Sequence, residues 1–184
     1  MESNFIKSIT NVIQGRSIFL IGMMGCGKSS SGPLLAKKLK YKFLDLDLFI
    51  ENLSKKTIDN IFIEDGEETF RQTETDCLKE IIKIPSMVVS TGGGIIQSSE
   101  NWGILRQGIV IWIDLNTQVA LNRLKDQIHS RPLLQGKDLK KLYSDIFHAR
   151  LDLYSQADIK VSVNEESIEQ VVDMILLELK QIIV

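Results

Sequence analysis

Cysteine and histidine each occur twice in 184 residues, too few for a disulfide framework, and no cluster has zinc-ligand spacing. Cys26 and Cys77 therefore read as free thiols, which suits a reducing compartment. Proline occurs three times, and no Pro/Gly/Ser linker, repeat or low-complexity tract interrupts the chain. That continuity predicts a single domain over residues 1–184, large enough to bury a core without covalent staples. No apolar run approaches the ~20 residues of a membrane helix. The amino terminus carries Glu2 and lacks a basic start followed by a long apolar core, so no secretory signal is expected. A formal net charge of −2 provides no basic field for a polynucleotide. These absences point to a cytoplasmic monomer acting on small molecules, with no nucleic-acid or membrane partner.

What is present is an alternation of short apolar runs and longer amphipathic ones. Strands are expected at 17–21, 43–46, 87–90, 109–113 and 159–163. Helices are expected at 28–39, 48–53, 57–63, 67–82, 117–126, 139–157 and 167–182. Strands separated by helices need crossover connections, which predicts an α/β fold: a five-stranded parallel sheet with helices on both faces. Phe5, Ile6, Ile9, Val12 and Ile13 recur at helical spacing, so residues 1–16 read as an extension carrying a short amphipathic helix.

Residues 22–29 read GMMGCGKS, which fits the phosphate-loop pattern G-x-x-x-x-G-K-[ST] between a strand and a helix. A plain strand-to-helix turn can carry two glycines, but Lys28 and Ser29 add two further chemical requirements. Gly22, Gly25 and Gly27 let the backbone aim its N–H groups at one anion, beside the positive end of the helix dipole. Cys26 and Ser30 complete the nucleotide-binding set. Lys28 would reach the β- and γ-phosphates, and the Ser29 hydroxyl would ligate Mg2+.

Asp45 and Asp47 stand two apart at the end of the second expected strand, where an extended chain would turn both carboxylates to one face. One could serve the metal and the other an acceptor hydroxyl; a helix N-cap would account for Asp47 but not for Asp45. Arg71 and Glu74 share a helix face, although a surface ion pair explains that spacing equally well. Gly92, Gly93 and Gly94 follow a strand and permit close backbone approach to a ligand; the alternative is a loose turn. The stretch from His129 to Lys140 holds Arg131, Pro132, Gly136 and Lys137 and reads as a lid loop at about 127–138, against the alternative of a solvated connection. Trp112 and Cys77 read as packed, and both histidines as solvated.

From about Ser17 to the final helix, the order of these motifs resembles the shikimate kinases, small members of the nucleoside-monophosphate-kinase-like P-loop group. The elements that carry the resemblance are GMMGCGKS, the DLD of 45–47 and IFIEDGEETFRQTE from 61 to 74, followed by TGGG at 91–94, RPLL at 131–134 and Arg150 with Tyr154 four residues on. The resemblance implies a P-loop kinase fold and ATP-dependent phosphorylation of the 3-hydroxyl of shikimate, in the route to chorismate and aromatic amino acids. It implies that Asp47, Arg71, the Gly92–Gly94 segment and Arg150 bind shikimate, with Glu74 orienting Arg71. Ser29 and Asp45 become the Mg2+ positions. Lys28, Asp47 and Arg131 become catalytic, Arg131 closing from the lid onto the phosphates. Arg123 and the 164–167 segment are similar in place to the adenine-flanking positions. The chain departs from the pattern in carrying serine at position 30, where threonine is common, and in an Arg123–Arg131 spacing one residue longer than in several members. A gluconate-like hydroxy-acid kinase and a non-catalytic nucleotide-binding regulator are the competing readings.

Overall fold

The structure is a computed structural model that describes residues 2–125 and 138–182. Arg131, His129 and most of the expected lid lie outside the described residues. Five strands form one parallel sheet in the order β2-β3-β1-β4-β5: β1 Ile18–Ile21, β2 Lys42–Asp45, β3 Met87–Ser90, β4 Ile109–Leu115 and β5 Ile159–Val163. Every residue of β1 and β3 is buried, as strands covered on both faces must be, which is why they read as unbroken apolar runs. The edge strand β5 instead alternates buried Ile159, Val161 and Val163 with exposed Lys160 and Ser162.

The helices are α1 Glu2–Ile13, α2 Lys28–Leu39, α3 Leu46–Ser54, α4 Ile58–Glu64, α5 Gly66–Ile81, α6 Ser99–Leu105, α7 Thr117–Lys125, α8 Leu139–Tyr154 and α9 Ile168–Gln181. The amphipathic extension forms α1, whose Ile9 and Ile13 are fully buried where it packs on α2 and α9. On α5 the buried residues Phe70, Glu74, Cys77, Leu78 and Ile81 follow helical spacing, which carries Glu74 to the inner face.

Two expectations are corrected. The second strand ends at Asp45 and α3 begins at Leu46, so Asp45 and Asp47 do not share the face of an extended chain. Asp45 is the N-cap, its Oδ1 accepting from the Leu48 N–H at 3.3 Å, and Asp47 stands in the first helical turn. Helix α6 and the 3-10 turn Ile95–Gln97 before it were not expected, because Gln97, Ser98 and Gly103 break the apolar period there. Trp102 belongs to that helix, is buried, and donates from Nε1–H to the Ile96 carbonyl at 2.9 Å.

Candidate active site

The site lies at the carboxyl ends of β1, β2 and β3, where an open α/β sheet leaves a crevice. Directly after β1 the chain turns through Gly22, Gly25 and Gly27, with φ of 145°, 80° and 94°. Gly22 has no room for a side chain, since a Cβ there would sit 2.5 Å from the Ile113 carbonyl oxygen. Gly27 is the N-cap of α2 and offers no side chain to that helix's first N–H groups, which suits them to an anion. Buried Lys28 folds back across the loop and donates from Nζ to the carbonyls of Gly22 at 2.8 Å and Met23 at 3.1 Å. Its Nζ also lies 3.5 Å from Cys26 Sγ, and Cys26 is buried as a filler of the loop. The loop thus concentrates a positive charge that no carboxylate answers within hydrogen-bond distance among the described residues.

Exposed Ser29 and Ser30 follow Lys28 in the first turn of α2. Ser29 Oγ donates to Asp45 Oδ2 at 2.5 Å and lies 3.2 Å from Ser90 Oγ, so a hydroxyl-and-carboxylate set meets at the ends of three elements. Hard oxygen donors of this kind suit Mg2+, which takes few protein ligands and completes its shell with water and phosphate oxygens. No cluster of three His, Cys, Asp or Glu side chains that could by itself hold a metal ion occurs among the described residues.

Beside the loop, Gly92, Gly93 and Gly94 form a platform under four side chains drawn from three other elements. A Cβ at Gly92 would lie 2.8 Å from Glu74 Oε1 and 2.9 Å from Asp47 Oδ1. At Gly94 it would lie 2.6 Å from Arg71 Nη2. Arg150 Nη1 donates to the Gly93 carbonyl at 3.0 Å. Arg71 and Arg150, far apart in sequence, therefore stand against adjacent residues of one turn. Arg71 Nη1 is paired at 3.0 Å with Glu74 Oε2, and its Nη2 with Glu67 at 3.2 Å. Thr91 ties the platform to β1, just before the phosphate loop, its N–H and Oγ1 both donating to the Leu20 carbonyl.

The acids of this platform are hard to ionise. Burial raises the pKa of the Asp47 carboxyl, Asp45 pushes it the same way, and Lys28 and Arg71 oppose the shift. Burial also raises that of Glu74 and outweighs Arg71, even though the two side chains are paired. Glu74 is fully buried and its Oε1 lacks a hydrogen-bond partner, which agrees with that direction.

One cleft of about 620 Å3 joins these parts, running from Asp47 and Gly93 along the loop to Arg123, Val163 and Ile168. Arg123 Nη1 donates to the Gly25 carbonyl at 3.3 Å, so this arginine stands on the outer side of the loop. The shikimate kinase family model matches residues 24–180. The chain belongs to the shikimate kinase family. A shikimate kinase of Prochlorococcus marinus is 48% identical over 178 residues, which is 96% of this chain and 94% of that protein. Shikimate kinase from Acinetobacter baumannii, solved in complex with shikimate, superposes with a TM-score of 0.84 at 32% identity, covering 91% of this chain and 94% of that one. A gluconokinase from Sinorhizobium meliloti superposes with a TM-score of 0.60 at 18% identity, a likeness of fold alone, with 92% of this chain and 94% of that one covered.

The structure brings together Gly22, Gly25, Cys26, Gly27, Lys28, Ser29, Ser30, Asp45, Asp47, Arg71, the three glycines and Arg150. Several contributors went unassigned in the sequence, Ser90, Val163 and Ile168 among them. Ser90 reads as the last residue of a strand, and Val163 and Ile168 as core positions of a strand and a helix. Tyr154 entered as part of a family motif, without a role. Nothing in periodicity separates a core residue from one that lines the mouth of a cleft.

Proposed function

We propose that this chain transfers the γ-phosphoryl group of ATP to the 3-hydroxyl of shikimate, giving shikimate 3-phosphate and ADP on the route to chorismate and aromatic amino acids. The observation that carries this reading is the convergence of Arg71, Arg150 and Asp47 on Gly92–Gly94, beside the phosphate loop. Two planar guanidinium groups held against neighbouring glycines can grip one carboxylate with paired N–H donors. Asp47 then faces the hydroxyls of the same small ring. The acceptor oxygen forms its bond to the γ-phosphorus as the bond to the β–γ bridging oxygen breaks, and ADP leaves with that electron pair. Asp47 orients the attacking hydroxyl and takes its proton, a task helped by burial that makes its carboxylate more basic.

Lys28 exchanges the carbonyls of Gly22 and Met23 for phosphate oxygens and meets the charge that develops on them. Ser29 and Asp45 would hold Mg2+, which when bound neutralises phosphate charge. Arg123 and the 164–167 segment flank the adenine end of the cleft. In this proposal residues 1–184 form a single domain and act as a monomer. Arg131, outside the described residues, is assigned by its sequence motif to a lid at about 127–138. No helix among the described residues is long and apolar enough to cross a membrane.

The test is ADP release with ATP, Mg2+ and a panel of hydroxy acids. Turnover with shikimate and none with gluconate is expected. Turnover with gluconate alone would overturn the reading, and silence on every acceptor would favour a regulatory nucleotide-binding protein.

A further inference from the structure

The Gly93 carbonyl accepts two hydrogen bonds from one helix: from Arg150 Nη1 at 3.0 Å and from the Tyr154 hydroxyl at 3.1 Å. Arg150 and Tyr154 are one turn apart on α8 and so lie on the same face. Tyr154 is fully buried and has no route to a ligand of its own. Its ring is fixed from behind, stacked on Trp112 with centroids 5.6 Å apart and planes 14° from parallel. Lys160 Nζ stands 4.4 Å from the Trp112 centroid and pairs with Asp114 at 2.9 Å, which extends the column to the edge strand.

We propose that Tyr154 is a positioning residue for the acceptor's carboxylate, acting through Arg150 and the Gly93–Gly94 peptide. An arginine that gives one N–H to a backbone carbonyl is aimed by that carbonyl, and its other donors point wherever the peptide dictates. Were Arg150 the sole donor, the Gly93 peptide would be free to turn with it, since glycine backbone offers little resistance. A second donor from a packed, rigid phenol removes that freedom. Gly94, whose Cα lies under the Arg71 guanidinium, belongs to the same peptide. Tyr154 thereby fixes the relation between the two arginines without touching what they bind. Burial raises the pKa of its hydroxyl to about 12, so it remains a donor at any working pH.

This inference rests on the kinase reading and deepens it. The test compares wild type with Tyr154→Phe, which keeps the ring and its stack and deletes one donor. The KM for shikimate should rise about three- to tenfold, the loss expected of one buried hydrogen bond. The KM for ATP should stay close to wild type, and the melting temperature should fall by no more than about the few degrees that one hydrogen bond contributes. An unchanged shikimate KM would overturn the proposal, as would a parallel rise of both KM values with a lowered melting temperature.

A double-mutant cycle with Arg150→Lys supplies the second measurement. If Tyr154 works through Arg150, adding Tyr154→Phe to Arg150→Lys should change the shikimate KM little; independent, additive effects would refute it. Wild-type turnover separates the two failures. Should the wild type ignore shikimate, the function reading falls, and the same cycle is run on whichever carboxylated acceptor of the panel it phosphorylates, or on shikimate binding by calorimetry if it phosphorylates none.

Discussion

Eight consecutive residues, Gly22 to Ser29, make the phosphate loop, whereas the acceptor platform draws on residues as far apart as Asp47 and Tyr154. The loop is a device of the backbone: positive φ at three glycines, N–H groups at a helix start, one lysine laid across it. The platform is a device of side chains, and Gly92 and Gly94 matter in it because carboxylates and a guanidinium group occupy the space a Cβ would need. In the proposed reading, one half binds a phosphate group common to many substrates, and backbone geometry suffices for that. The other must distinguish one small hydroxy acid from its neighbours, which takes separately placed charges.

Substitutions can break this division, and the largest effect is expected at Asp47. Asp47→Asn should lower kcat by about a hundredfold or more while nucleotide affinity holds, since general-base contributions are of that size. ADP release and ATP titration together check it, and an active variant would show the role is misassigned.

Two glycine variants set the halves against each other. Gly22→Ala would drive a Cβ into the Ile113 carbonyl, which is backbone and cannot swing aside, so ATP binding should be lost or nearly lost. Gly94→Ala meets the far end of Arg71, which can move, so the shikimate KM should rise about tenfold and the ATP KM hold. Equal damage to both ligands from Gly94→Ala would erase the distinction between the halves. Arg71→Lys keeps the charge and loses the fork; about a tenfold rise in shikimate KM is expected, again without an effect on ATP.

The smallest effect concerns stability. Burial puts the Asp47 carboxyl's pKa higher in the folded chain than in the unfolded one. Between those two values the folded chain holds the extra proton, so its stability falls as pH rises through that window and stays lowered above it. Asp47→Asn removes the ionisation. Its melting temperature at neutral pH should exceed that of wild type by about a few degrees. The gain should fade below the ordinary carboxylate range, and a thermal scan across pH would show it. A lower melting temperature at neutral pH would mean that the carboxylate is better compensated than its surroundings indicate.

The same division explains what the sequence could reveal. The loop was legible because its chemistry is contiguous, and the inner strands β1 and β3 because strands buried on both faces read as unbroken apolar runs. The platform residues were visible singly: Arg71 and Glu74 could have been a surface pair, and Arg150 a solvated helix residue. Family motifs brought them together, and the folded chain gives the physical reason, which is that β3 delivers Gly92–Gly94 between α5 and α8. The strand end at Asp45 was misjudged because Leu46 and Leu48 continue an alternation that a helix start also satisfies. What Tyr154 does could not be read at all, since a buried tyrosine in a helix looks the same whether or not its hydroxyl meets a carbonyl.

Thr91 holds the platform to Leu20 on the neighbouring strand, and Leu20 pairs in register with Ser90. Adjacent strands stand about 4.8 Å apart. The spacing between the turn after β1 and the glycines after β3 therefore starts from the pitch of hydrogen-bonded backbone, which no side-chain substitution tunes. Surface helices can drift in sequence without stretching that ruler. A one-residue slip of β3 against β1 would spoil it at once.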